Sequence, residues 1–141
     1  DNTGLSENIA EELVKLGINS VIIDLDGLKD KNQFSKAAGL ILVQDPKSHK
    51  MEQDLKEAFT LAKHLAPNLL SAANHGDALF ATVSRMDGAF GFKQKETIYP
   101  VQGGLAGLAK TAAIEWENVC CHAIDVAANR SDHRKIASAV V

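Results

Sequence analysis

The residue types best suited to chemistry lie in YPVQGGLAGLAKTAAIEW, residues 99–116. A hydride-transfer site built on a phenol needs a lysine about one helical turn away, whose positive charge favours the phenolate. Tyr99 has none. Four residues beyond it stands Gly103, and the nearest lysine along the helix, Lys110, falls on the polar side of the apolar stripe. Tyr99 also precedes Pro100, which places it in a loop and reads as a structural tyrosine.

A dinucleotide site is the second candidate. It wants glycines between a strand and the helix that follows, because backbone amides must approach a pyrophosphate closely. The opening DNTGLSENIAEEL supplies Gly4, and Ser6 stands where a second glycine would fall. Asp24 ends the next apolar run, about 20 residues on, where a ribose-binding acid would sit. With most of the glycines absent, the plainer reading is a helix start followed by a solvated strand-end carboxylate. His49, His64, His75, His122 and His133 are scattered without metal-ligand spacing, and Cys120 and Cys121 have no partner pair at zinc-site distance. There is neither a nucleophile elbow nor a phosphate-binding loop. No catalytic, cofactor-binding or metal-binding residue is therefore assigned.

The elements that would position these residues alternate in type. LSENIAEELVKLG (5–17) reads as a helix with Ile9, Leu13 and Leu16 on one face, Ser6 as N-cap and Gly17 as stop. INSVIIDLDG (18–27) and AAGLILVQD (37–45) are unbroken apolar runs of the kind parallel strands show when helices cover both faces. The first predicts a strand over 18–25 and the second a strand over 38–44. MEQDLKEAFTLAKHLA (51–66) predicts a helix with Met51, Leu55, Phe59, Ala62 and Leu65 inward, interrupted or ended by Pro67. ALFATVSR predicts a strand over 78–84, followed by a glycine-bearing loop. A helix over 102–117 buries Leu105, Leu108, Ala109, Ala112 and Trp116; a strand over 120–126 and a last helix follow. Strands alternating with helices imply an α/β fold: a truncated Rossmann-like, doubly wound parallel sheet in three αβα layers, with 1–141 as a single domain.

Composition narrows the setting. The 141 residues are 45% hydrophobic, enough for one sizeable core. A formal charge of −3 without a dense Lys/Arg cluster argues against nucleic acid as a partner, and no apolar run approaches the length of a membrane span. Adjacent cysteines are poorly placed to bridge each other, so reduced thiols on a buried strand, in the cytoplasm, are expected. The first helix starts almost at residue 1 and the last stops abruptly, as in a piece of a longer protein. Ile136 and Val140 share one face of that last helix. They are expected to need a cover from a partner, with Phe90 and Phe92 either extending the patch or folding back over the sheet.

The run TVSRMDG…YPVQGGLAGLAKTAAIEWENVCCHAIDV (82–126) resembles the later half of a short-chain dehydrogenase. Aligned through the shared glycine–leucine core, Gln102 takes the place of the family's lysine and Ile98 that of its tyrosine, while Ser84 or Arg85 falls near its serine. A degenerate copy of this kind is similar to the structural, non-catalytic half of the ketoreductase region in multidomain polyketide and fatty acid synthases. QGGLAGLAKTAAIEW and TVSRMDGAFGF look most similar to the versions in bacterial polyunsaturated fatty acid synthases. The resemblance implies no cofactor in this chain. It implies NADPH in an adjoining catalytic half, phosphopantetheine on acyl carrier domains, and both of those regions as partners. A stand-alone nucleotide- or acyl-CoA-binding protein of the same fold, using the helix start at Gly4, is the alternative.

Overall fold

A computed structural model describes residues 3–24, 34, 36–93 and 99–141. Three parallel strands form its centre: β1 (Gly39–Val43), β2 (Leu79–Ser84) and β3 (Cys120–Asp125), in the order β1-β2-β3. The register pairs Leu40 with Phe80 and Phe80 with Cys121. Side chains alternate between faces along each strand, so the sheet presents two apolar surfaces. Leu40, Leu42 and Phe80 face α2 (Met51–Ala73) and α3 (Gly104–Glu115). Ile41, Val43, Val83 and Ile124 face α1 (Leu5–Lys15) and α4 (His133–Val140). Helices on both faces of a parallel sheet make the three-layer αβα sandwich expected from the sequence.

Local sequence explains where the elements stop. α1 ends in a motif that satisfies two carbonyls at once: Gly17 N–H donates to Val14 O at 2.9 Å and Ile18 N–H to Leu13 O at 3.0 Å. That geometry needs a left-handed residue, and Gly17 has φ 79°. The helix starts at Leu5, with Gly4 rather than Ser6 as the N-cap residue, because fully buried Leu5 already belongs to the packed face. Leu16, expected inward, is exposed beyond the last turn.

α2 departs further from expectation. It runs through Pro67 for 23 residues. Proline removes one helical N–H, but Pro67 and Lys63, the residue whose carbonyl loses that donor, are both exposed, so water can take the carbonyl. Leu65 and Leu69, buried on either side, hold the helix to the sheet. Each contributes about 1.5–3 kcal/mol by leaving water. The inward stripe is Ala58, Leu61, Ala62, Leu65 and Leu69, and Phe59 lies outside it, 54% exposed.

α3 follows a short 3-10 turn, Pro100–Gly103. It buries Leu105, Ala109 and Ala112, and its end brings the Trp116 ring to 5.0 Å from Phe80 at a tilted angle. The expected strand over 18–25 is not formed in residues 18–24, and residue 25 lies outside the described residues. Val21 is 75% exposed. Among the described residues no strand pairs with the outer edge of β1, so this run has no backbone ladder to join.

The stripe on α4 is also covered differently from expectation. Ile136 and Ala137 are buried against Leu5, Ile9 and Val83, with Val140 packed beside them. α1 is the cover, and that stripe is not left for a partner. Phe90 and Phe92 are exposed rather than folded back. The cysteines are free, as expected, but among the described residues β3 is an edge strand, and Cys120 is exposed on it.

Candidate functional site

Open parallel sheets place their sites beyond the carboxyl ends of the strands. Here those ends bring together Gln44 and Asp45 after β1, the loop 85–93 after β2, and Asp125 at the end of β3. The 3-10 turn before α3 adds Gln102.

Two carboxylates shape the loop after β2. Asp125 Oδ1 accepts from Met86 N–H at 2.9 Å, and its Oδ2 from Phe90 N–H at 2.8 Å. Asp87 Oδ1 accepts from Ala89 N–H and Gly91 N–H, and Oδ2 from Lys93 N–H at 2.9 Å. Desolvation alone would raise the Asp87 pKa, but the amides of Gly91, Lys93 and Ala89 outweigh it and hold the carboxyl below its ordinary value. These two acids were not singled out in the sequence. The Asp87-Gly88 pair is a turn signal that could have marked the first, since Asp side chains commonly bond the backbone two residues on.

Arg85 is 1% exposed, and its Nη2 donates to Ala128 O at 3.2 Å and Arg130 O at 3.0 Å. Burial lowers its pKa, an effect partly offset by the negative charges of Asp45 and Asp125. Its Nε and Nη1, together with Ser84 Oγ and Thr82 Oγ1, are buried without a hydrogen-bond partner among the described residues. Arg85 N–H donates to Gln44 Oε1 at 3.2 Å, which ties the end of β2 to that of β1.

Gln102 completes the group. It is 6% exposed, and both ends of its amide serve the main chain. Oε1 accepts from Tyr99 N–H at 2.9 Å, while Nε2 lies 3.5 Å from Arg85 O, a long donated bond. Of the positions matched to the dehydrogenase serine and lysine, Arg85 and Gln102 thus come together as residues that brace backbone, whereas the Ser84 hydroxyl braces nothing among the described residues. Tyr99 is 60% exposed at the rim, and Lys110 lies on the exposed side of α3. Ile98 lies outside the described residues.

No family model, curated protein or solved structure matches this chain.

The other sequence candidates do not gather. At the start of α1, the Gly4 carbonyl accepts from Asn8 Nδ2 at 2.6 Å, and the next residue is the buried Leu5. Asp24 is exposed in a segment that forms no strand, so the strand-end acid of a dinucleotide site is not built. A single glycine followed by a buried leucine does not fit a pyrophosphate cradle, which needs close backbone approach. Among the described residues no three His, Cys, Asp or Glu side chains cluster as a metal site, and no helix is long and apolar enough to cross a membrane.

Proposed function

We propose that this chain is the structural half of the β-ketoacyl reductase region of a multidomain polyunsaturated fatty acid or related polyketide-like synthase. In this reading the adjoining catalytic half binds NADPH and reduces 3-oxoacyl chains carried on the phosphopantetheine of acyl carrier domains. The present chain supports that half as a rigid neighbour, since groups in a reactive site hold their geometry only when the surrounding shell is fixed. A cytoplasmic setting suits its two free thiols.

One observation carries the proposal. Where a dehydrogenase of this shape would carry its lysine, Gln102 is buried with its amide turned to the backbone of Tyr99 and Arg85. A side chain so used stiffens the fold and has nothing to offer a substrate.

The test has two arms. Calorimetric titration of the 141-residue chain with NADPH and NADH should give no saturable heat, whereas the polypeptide encoded by the whole reading frame should reduce a carrier-bound 3-oxoacyl chain with NADPH. Stoichiometric micromolar NADPH binding by this chain would overturn the reading. So would a reading frame that contains no glycine-rich dinucleotide loop.

A further inference from the structure

Cys120 and His122 occupy alternate positions of β3, so both side chains stand on the same face of an edge strand. Both are exposed, and Cys120 Sγ lies 3.1 Å from His122 Nε2. Further along the same face, Ile124 is covered by the α1–α4 layer, but the cover does not extend to the start of the strand. The pair is held by the ladder itself: Cys120 N–H donates to Ala78 O at 2.8 Å, and the register sets Cys120 beside Leu79 and His122 beside Ala81. Cys121 points to the opposite face and packs against the core under α3. Burial raises the Cys121 thiol pKa, and the neighbouring Cys120 adds to the effect.

We propose that Cys120, with His122 as its base, is a reactive thiol that exchanges with small disulfides, making the start of β3 a site of reversible thiol modification. The inference is independent of the synthase reading. In the tautomer that carries its ring proton on Nδ1, Nε2 takes the thiol hydrogen as Cys120 attacks, so the attacking species is the thiolate. The thiolate attacks one sulfur of a disulfide R–S–S–R. A bond forms between Cys120 Sγ and that sulfur as the R–S–S–R bond breaks, and the leaving thiolate takes the proton from the imidazolium. The products are a Cys120 mixed disulfide and one RSH. Cys120 is oxidised, the departing half is reduced, and no other oxidant is needed. Adjacent residues of a strand point to opposite faces, so Cys121 is badly placed to resolve the adduct and the mixed disulfide persists.

The test uses the 141-residue chain with dithiobis(nitrobenzoate) and, separately, with oxidised glutathione, the adducts being located by peptide mass mapping. The first adduct should form on Cys120, the fast phase should survive Cys121→Ser, and Cys120→Ser should remove it. His122→Ala should slow that phase about tenfold, with an unchanged thermal melt, and added imidazole should restore part of the rate. The proposal is overturned if the first adduct maps to Cys121. It is equally overturned if His122→Ala reacts within about twofold of the original chain, since a neighbouring base would then contribute nothing to the thiol's reactivity.

Discussion

Gln102 has a side chain whose worth is set by having both a donor and an acceptor. Lysine has three donors and no acceptor, so Gln102→Lys cannot take the Tyr99 N–H that Oε1 now accepts. That substitution would also place a charge at a buried position. Gln102→Lys should therefore cost about 1–3 kcal/mol in urea unfolding while creating no NADPH-dependent turnover of a 3-oxoacyl thioester. A stable, active Gln102→Lys chain would show that the turn before α3 tolerates a working lysine. The sequence shows a glutamine at 102, but not its purpose. That purpose depends on the Arg85 carbonyl, 17 residues earlier, which the fold alone delivers to it. Asp125 was illegible for the same reason: the N–H groups it accepts belong to a distant loop.

At the scale of elements, α3 carries two glycines in different surroundings. A Cβ at Gly104 would stand 2.3 Å from Leu55 Cδ2 and 3.0 Å from Cδ1, whereas at Gly107 it would meet nothing within 4 Å. Gly107→Ala should thus stabilise the chain by about 1 kcal/mol through helix propensity. Gly104→Ala must first displace the Leu55 side chain, so it should gain less or lose stability. Paired thermal melts decide this, and equal gains at both positions would mean that α2 and α3 are not in close contact there. Periodicity gave the existence and order of these helices and placed Leu55, Ala62 and Leu65 of α2 toward the core, yet it misplaced Phe59. A 3.6-residue pattern containing both Ala58 and Phe59 allows two neighbouring stripes, and the sheet received the small side chain while the large ring stayed in water. Pro67 misled because a breaker's effect depends on whether the freed carbonyl can be solvated, which composition does not report.

At the scale of the whole molecule, the described residues form a narrow sheet with one central strand. β2 has a ladder on each side and helices over both faces, whereas residues 19–24 join no ladder among the described residues and are mostly exposed, with Ser20 and Ile23 half-buried. Backbone amide exchange should then span nearly the full range, with the amides of Phe80–Val83 opening only at the global unfolding free energy and those of residues 19–24 exchanging close to free-peptide rates. Strong protection at 19–24 in the isolated chain would mean that the segment finds a partner in solution. The parallel α/β class was legible because three apolar runs alternate with helical periods. The strand expected at 18–25 was not, because β-branched composition describes a residue's fitness for a ladder and says nothing of whether a neighbouring backbone is present. Asp125 carries a last consequence, one of sequence distance. Its two oxygens hold N–H groups 39 and 35 residues upstream, at Met86 and Phe90. The bend that displays Phe90 and Phe92 is therefore written only partly in its own residues: Asp87 ties the amides of Ala89, Gly91 and Lys93 locally, but the Phe90 N–H finds its carboxylate only once β3 has docked on β2.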